Sequence, residues 1–108
     1  MKKYVHTYTV DFSHVIHYSE VHNIIRDSLD FPDYYGCNWS AFWDCLSEML
    51  TMPLYIKIIG MDIVREKFGD HADTMIRILK RFKHCFNDEL VDEIQIELID
   101  GDRHTFIS

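Results

Sequence analysis

The chain has 108 residues, of which 47% are hydrophobic, so it is long enough to bury one core in one compact domain. Its first residues, MKKYVHTYTV, alternate polar and apolar side chains and lack the uninterrupted apolar stretch of a secretory signal. No later run approaches the roughly 20 apolar residues that span a bilayer. We therefore expect a single domain over residues 1–108, soluble, cytoplasmic and without membrane attachment.

Charged residues are unevenly distributed along the chain. The 18 acidic and 11 basic residues give a formal net charge of −7. Neither Lys nor Arg occurs between Arg26 and Lys57 or between Lys83 and Arg103, and both stretches contain several carboxylates. An acidic chain repels phosphate backbones, so we expect no direct nucleic-acid binding and favour a cationic protein partner. Solubility alone also accounts for an acidic composition.

The three cysteines are Cys37, Cys45 and Cys85. An odd number without a C-x-x-C pair argues against a disulfide framework and against a zinc ribbon, so we expect free thiols. Cys45 falls on the apolar face of a predicted helix and should be buried, whereas Cys37 falls in a predicted loop and should be exposed.

The first part of the chain predicts a strand, a helix and a loop. Residues 3–10 alternate and are rich in β-branched and aromatic side chains, which is typical of a strand. A helix begins at Tyr18 or Ser19 and ends at Phe31-Pro32, because proline disfavours helical angles in the residue before it. The loop that follows contains Gly36, which is free to adopt backbone angles that other residues avoid.

A second helix is predicted to begin after Asn38 or Ser40, either of which is a plausible N-cap, and to end near Leu50. Trp43 lies on the boundary between its two faces, with one side packed and one available. The apolar face comprises Ala41, Phe42, Cys45, Leu46, Met49 and Leu50. The polar face comprises Ser40, Asp44, Ser47 and Glu48.

The remainder predicts alternating strands and helices. Pro53 opens a strand whose dense apolar content favours burial on both sides, as in parallel sheets. Residues 61–69 fit a short helix closed by Gly69, and residues 71–86 fit an amphipathic helix with Arg77, Lys80 and Arg81 off its apolar face. A third strand, EIQIELI, precedes an Asp100-Gly101 turn that returns HTFIS as an antiparallel edge strand. This order predicts an α/β fold with a small parallel sheet and right-handed crossovers.

The segment FPDYYGCNWSAFWDCL, residues 31–46, resembles the signature of the barstar family of ribonuclease inhibitors. The family pattern is an apolar residue, Pro, an acid, Tyr-Tyr-Gly, an Asn, and a helix bearing Trp-Asp-Cys-Leu, and the spacing matches without a gap. A weaker similarity covers most of the chain. The resemblance implies a two-layer α/β fold with a three-stranded parallel sheet and about four helices.

The resemblance also implies a protein inhibitor that plugs the active site of a ribonuclease toxin, as a monomer forming a one-to-one complex, with no cofactor and no catalytic residues. Asp44 would be the central anion, and Trp43 would flank it. Tyr34 and Tyr35 would supply flat contact area, and Asn38 would fix the loop. The complete set of implied partner-binding residues is Tyr34, Tyr35, Gly36, Asn38, Ser40, Trp43, Asp44 and Glu48.

Several positions depart from the family pattern. Ser40 stands where the best-known member has a second acid, and Glu48 and Met49 replace a contact glycine and tryptophan. Arg81 aligns with a further contact acid in the later helix. Glu48 lies one helical turn beyond Asp44 and partly restores the missing charge. We therefore expect a barstar-like inhibitor with a different cognate toxin.

Other functions are weaker hypotheses. His14, His17 and His22 invite a metal site, but their spacing fits no zinc pattern with the cysteines, and His71 reads as a loop or cap residue. No nucleophile elbow, phosphate loop or HExxH motif supports an enzyme.

The aromatic residues near positions 34–43 have a structural alternative, in which they fill the core. That is the better interpretation for Phe42, while at least one of Tyr34 and Tyr35 should face solvent. The alternative function is a regulatory or interaction domain that uses the barstar fold without inhibiting a nuclease.

Overall fold

A computed structural model describes residues 6–49, 54–84 and 94–107. Within these ranges the chain forms four helices and one four-stranded sheet, which confirms the α/β class that the sequence predicts. The elements are β1 His6–Asp11, α1 Tyr18–Ser28, α2 Trp39–Ser47, β2 Leu54–Ile59, α3 Met61–Phe68, α4 Asp70–His84, β3 Ile94–Asp100 and β4 Arg103–Phe106.

The strands lie in the order β1-β2-β3-β4. The first three are parallel, with Tyr8 opposite Ile56 and Ile56 opposite Ile96, and β4 returns antiparallel to β3. The predicted parallel core and antiparallel edge are therefore both confirmed. Helices α1 and α2 connect β1 to β2, and α3 and α4 connect β2 to β3. Crossovers of the same hand that progress in one direction along the sheet place all four helices on the same face.

The prediction that β2 is covered on both sides is wrong. Its burial alternates strictly, with Leu54, Ile56 and Ile58 buried and the residues between them half-buried. In a two-layer fold the helices cover only one face, so a continuous apolar run does not require two covered faces.

The second face of the sheet is covered partly by its own long side chains. The Lys57 ammonium lies 5.4 Å from the Tyr55 ring centroid, and the Tyr55 hydroxyl donates a hydrogen bond of 2.6 Å to Glu97. His104 Nδ1 lies 2.7 Å from the other oxygen of the same carboxylate. These hydrogen bonds, that of Tyr55 first, hold the pKa of Glu97 below its ordinary value.

Element boundaries differ from the predictions at a few points. Helix α2 ends at Ser47, before the predicted Leu50, because the amides of Glu48 and Met49 bond to carbonyls three residues back and tighten the last turn. Residues 3–5 of the predicted first strand lie outside the described residues, as do Leu50, Pro53, Cys85 and Phe86. No helix among the described residues is long and apolar enough to cross a membrane.

The helix layer buries the faces that the apolar periodicity predicts. Glu20 in the first turn of α1 accepts from the backbone amide of the N-cap residue His17 at 2.7 Å and from that of the preceding Ile16 at 3.1 Å, which fixes the start of the helix. Helix α4 is joined to the sheet at its far end, because Lys83 is buried and its ammonium donates to the Ile94 carbonyl at 3.0 Å. The buried face of α4 comprises Ala72, Met75, Leu79 and Phe82.

Gly60 connects β2 to α3 at a position where only glycine fits. Its φ is +85°, and a Cβ there would lie 2.9 Å from the backbone nitrogen of Ser13 and 3.0 Å from the carbonyl carbon of Phe12. A side chain would therefore meet both an unfavourable backbone conformation and the backbone that follows β1.

We expect Gly60→Ala to lower the free energy of unfolding by on the order of 2–4 kcal/mol, from backbone strain plus displacement of the 12–13 segment. Gly101→Ala is the matched control, because Gly101 also has a positive φ, +63°, but nothing lies within 4 Å of its Cβ position. Urea denaturation of both variants measures the difference. Equal destabilisation of the two would show that crowding against Ser13 contributes nothing.

Candidate protein-binding face

The loop before α2 is held by local hydrogen bonds. The Tyr35 amide donates to the Pro32 carbonyl at 3.0 Å. The Asn38 side chain accepts from the Ala41 amide at 2.7 Å and donates to the Gly36 carbonyl at 3.2 Å. Of the two residues predicted as possible N-caps, Asn38 and Ser40, Asn38 is the cap, and its side chain also joins the loop to the helix.

The expectation for Gly36 is wrong in its backbone conformation. The positive φ in this loop, +53°, belongs to Cys37. Gly36 instead lies close to the start of α2, because a Cβ there would be 3.3 Å from the side-chain nitrogen Nδ2 of Asn38 and 3.4 Å from the Ala41 Cβ. Cys37 is exposed and Cys45 is buried, both as expected, and burial raises the pKa of the Cys45 thiol.

The two tyrosines of the loop have opposite environments. Tyr34 is 78% exposed and offers a free aromatic ring, whereas Tyr35 is only 5% exposed. The expectation that at least one tyrosine faces solvent is confirmed. The Tyr35 ring offers no flat surface to a partner in this structure, because it packs among the core residues Phe31 and His22.

Behind the loop, a buried histidine bridges two tyrosines. His22 is 2% exposed, its Nδ1 lies 2.7 Å from the Tyr35 hydroxyl, and its Nε2 lies 3.0 Å from the Tyr18 hydroxyl. Burial, with a smaller contribution from nearby His71, lowers the pKa of His22. Burial likewise raises the pKa of both tyrosines. This bridge fastens α1 to the loop.

A second histidine, His71, connects Tyr18 of this bridge to α4. His71 lies in α4, not in a loop or cap as expected, and its ring stacks on Tyr18 at a centroid distance of 4.0 Å. Its Nδ1 accepts a hydrogen bond of 3.1 Å from the Trp39 indole. Trp39 and His71 are 32 positions apart, so no local pattern in the sequence could have paired them.

The solvent-facing side of α2 carries the predicted anion. Ser40, Asp44 and Glu48 are exposed, while Phe42, Cys45 and Leu46 are buried on the opposite side. Among the described parts of the chain, no Lys, Arg or His nitrogen lies within 4.0 Å of the Asp44 carboxylate. Asp44 is therefore a free negative charge on a short, capped helix.

Trp43 is half-buried, as its boundary position predicts, and α4 reaches it from the side. The Arg81 guanidinium lies over the Trp43 ring, 4.1 Å from its centroid. Ser40, Trp43 and Asp44 line an open groove between α2 and α4 together with Trp39, Ile78 and Arg81. Tyr34 and Glu48 line a separate depression beside the loop. Five of the predicted site residues therefore line two separate hollows, whereas Tyr35, Gly36 and Asn38 line neither.

Metal-ligating side chains do not converge on this face. Across residues 6–49, 54–84 and 94–107, no three His, Cys, Asp or Glu side chains are grouped as a metal ion would need. Of the three histidines that the sequence brought to attention, His22 uses both ring nitrogens on tyrosine hydroxyls.

The described residues form a small α/β fold that presents an exposed carboxylate, Asp44, beside the aromatic side chains of Trp39 and Trp43. The family model described as "Barstar (barnase inhibitor)" matches residues 5–98. The chain is also similar to a Bacillus subtilis (strain 168) protein named "Putative ribonuclease inhibitor YrdF", with 34% identity over 76 residues, which covers 70% of this chain and 79% of that protein. The chain belongs to the barstar family.

The lowered pKa of His22 makes stability depend on pH. Unfolded His22 takes up a proton at its ordinary pKa of about 6.5, whereas the buried side chain resists protonation, so the free energy of unfolding falls as pH decreases below about 6.5. We expect His22→Gln to reduce this slope between pH 5 and pH 7. Chemical denaturation at several pH values measures it. Identical slopes in wild type and variant would contradict the assignment to His22.

Proposed function

We propose that this protein inhibits a ribonuclease toxin by binding it one-to-one and covering its active site with α2 and the preceding loop. The observation that carries the proposal is the exposed carboxylate of Asp44, which has no cationic partner among the described residues and lies on a helix whose start is fixed by Asn38. Membership of the barstar family supports the same function.

The chemistry follows from what a ribonuclease active site must hold. Such a site is lined with cations that bind phosphate, and a carboxylate on a rigid helix accepts charge-assisted hydrogen bonds from the same groups. The acid-rich stretch between Arg26 and Lys57 adds long-range attraction to a basic enzyme and raises the association rate.

The residues of the loop before α2 divide between contact with the partner and support of the loop. Tyr34 contributes its exposed ring to the contact, and Tyr35 holds the loop from behind through His22. Gly36 allows the loop to pack closely on Asn38 and Ala41. In this proposal the chain acts in the cytoplasm as a single domain, has no catalytic residue and needs no cofactor.

The target is proposed to differ from barnase, the enzyme named in the family description. Ser40, Glu48 and Arg81 all face solvent around α2, and each departs from the family pattern. These exposed positions alter the charge that a partner meets while the buried framework stays in place.

We expect Asp44→Ala to weaken binding to the candidate toxin, a ribonuclease domain sought among the genes adjacent to that of this chain, by about 2–5 kcal/mol, because the partner's cations lose their hydrogen-bonded anion. Calorimetric titration measures affinity and stoichiometry, and an RNA-cleavage assay measures inhibition. Glu66→Gln, an exposed acid on α3, is the control and should bind like wild type.

The outcomes of that experiment separate the possibilities. Equal affinity of wild type and Asp44→Ala would place the inhibitory surface elsewhere. Absence of any binding by wild type would favour a regulatory domain that uses the barstar fold. Barnase is a second ligand in the same titrations, and nanomolar or tighter inhibition of barnase would contradict the altered target.

The two tyrosines should separate binding from stability. Tyr34→Ala should weaken binding by more than about 1 kcal/mol, as for an aromatic contact residue, without changing the unfolding midpoint. Tyr35→Phe leaves His22 Nδ1 without its hydroxyl partner and should cost about 1–3 kcal/mol of folding stability. Urea denaturation and calorimetry on both variants measure the two effects. A large loss of stability in Tyr34→Ala would contradict this division.

A further inference from the structure

A cation lies in the groove beside the proposed anion. Arg81 is exposed on α4, and its guanidinium is stacked over Trp43 at 4.1 Å from the ring centroid. The groove between α2 and α4 is lined by both Arg81 and Asp44. One continuous surface therefore presents a positive and a negative group side by side.

Arg81 has no anionic partner within the described part of the chain. No carboxylate oxygen there lies within 4.0 Å of its guanidinium, and Asp44 is not paired with it either. The Trp43 ring holds the guanidinium by a cation–π contact, which leaves the outward N–H donors of Arg81 available. The Arg81 guanidinium is therefore held in place before any partner binds, and the contact with Trp43 does not neutralise its charge.

This arrangement constrains any partner that docks on Asp44. A surface that carried only cations would bring like charge against Arg81, or would force the guanidinium off Trp43 and lose their contact. Burying Arg81 without an acceptor would also leave its donors unsatisfied. A partner avoids both penalties only if it offers an acceptor of negative charge at that point.

We propose that the groove is a specificity site that accepts an Asp or Glu side chain of the partner, which binds Arg81 while the partner's cations bind Asp44. Planar guanidinium and carboxylate groups form two parallel hydrogen bonds, so the contact selects geometry as well as charge. Ser40 and Ile78, which also line the groove, carry no charge of their own. This inference rests on the proposed inhibitory function.

The experiment is a charge reversal with a matched control on the same helix. Calorimetry at physiological salt titrates Arg81→Glu, Arg81→Gln and Lys80→Glu against the same candidate ribonuclease toxin as for Asp44→Ala. Lys80 is exposed on α4 but does not line the groove, so Lys80→Glu makes the same change in net charge outside it. The Debye length of about 8 Å at this salt concentration limits long-range effects.

We expect Arg81→Glu to weaken binding by about 100-fold or more, Arg81→Gln by about tenfold, and Lys80→Glu by less than about threefold. Each Asp and Glu of the ribonuclease is then replaced by Lys in turn, and one such variant should restore tight binding to Arg81→Glu. Unfolding midpoints equal to wild type would separate these losses from misfolding.

Other results would overturn the inference. Undiminished binding by Arg81→Glu, together with a loss in Asp44→Ala, would overturn this inference and leave the proposed function standing. Loss of binding that no carboxylate reversal restores would show that Arg81 does not contact an acidic side chain. No binding by wild type would overturn the proposed function and, with it, the site for an acidic side chain.

Discussion

The hydrogen-bonded bridge from Tyr18 through His22 to Tyr35 is the interaction on which the candidate binding face depends. His22 and Tyr35 are buried and Tyr18 is half-buried, so these polar groups have to find partners inside the protein. Tyr18 and His22 pair one turn apart within α1, and His22 pairs with Tyr35 in the loop before α2. Because the Tyr35 hydroxyl is bonded to His22, the position of the loop before α2 is fixed relative to α1. Asn38 then begins α2 with its polar side toward solvent. The position and outward direction of the Asp44 side chain thus depend on hydrogen bonds of His22, Tyr35 and Asn38, which Asp44 itself does not contact.

Periodicity and turn chemistry in the sequence were sufficient to predict the layout of the fold. Alternation, helical spacing, the Asn38 cap and the Asp100-Gly101 turn each act over a few residues, and each was confirmed. The burial of β2 was mispredicted, because an apolar run alone does not distinguish one covered face from two. The partial burial of the sheet face without helices comes from contacts of Tyr55 and Lys57 in β2 with each other and of Tyr55 with Glu97 in β3. The contact between the two strands cannot be read from the sequence of one strand.

The candidate site was predicted from its local motif and not from its long-range contacts. The outward direction of Asp44 and the intermediate position of Trp43 follow from helical phase. Which of Tyr34 and Tyr35 is buried depends on His22, because the Tyr35 hydroxyl bonds to this residue of α1. The contacts of Trp39 with His71 and of Trp43 with Arg81 join residues more than 30 positions apart, beyond any pattern of spacing.

The division between a buried aromatic framework and a solvent-facing α2 surface has an evolutionary consequence. Exposed substitutions commonly change stability by no more than about 0.5 kcal/mol, whereas changes in a buried hydrogen-bonded cluster cost far more. Positions such as Ser40, Glu48 and Arg81 can therefore vary almost independently of folding. New charge patterns on α2 and α4 can therefore arise by substitution without loss of the fold beneath them.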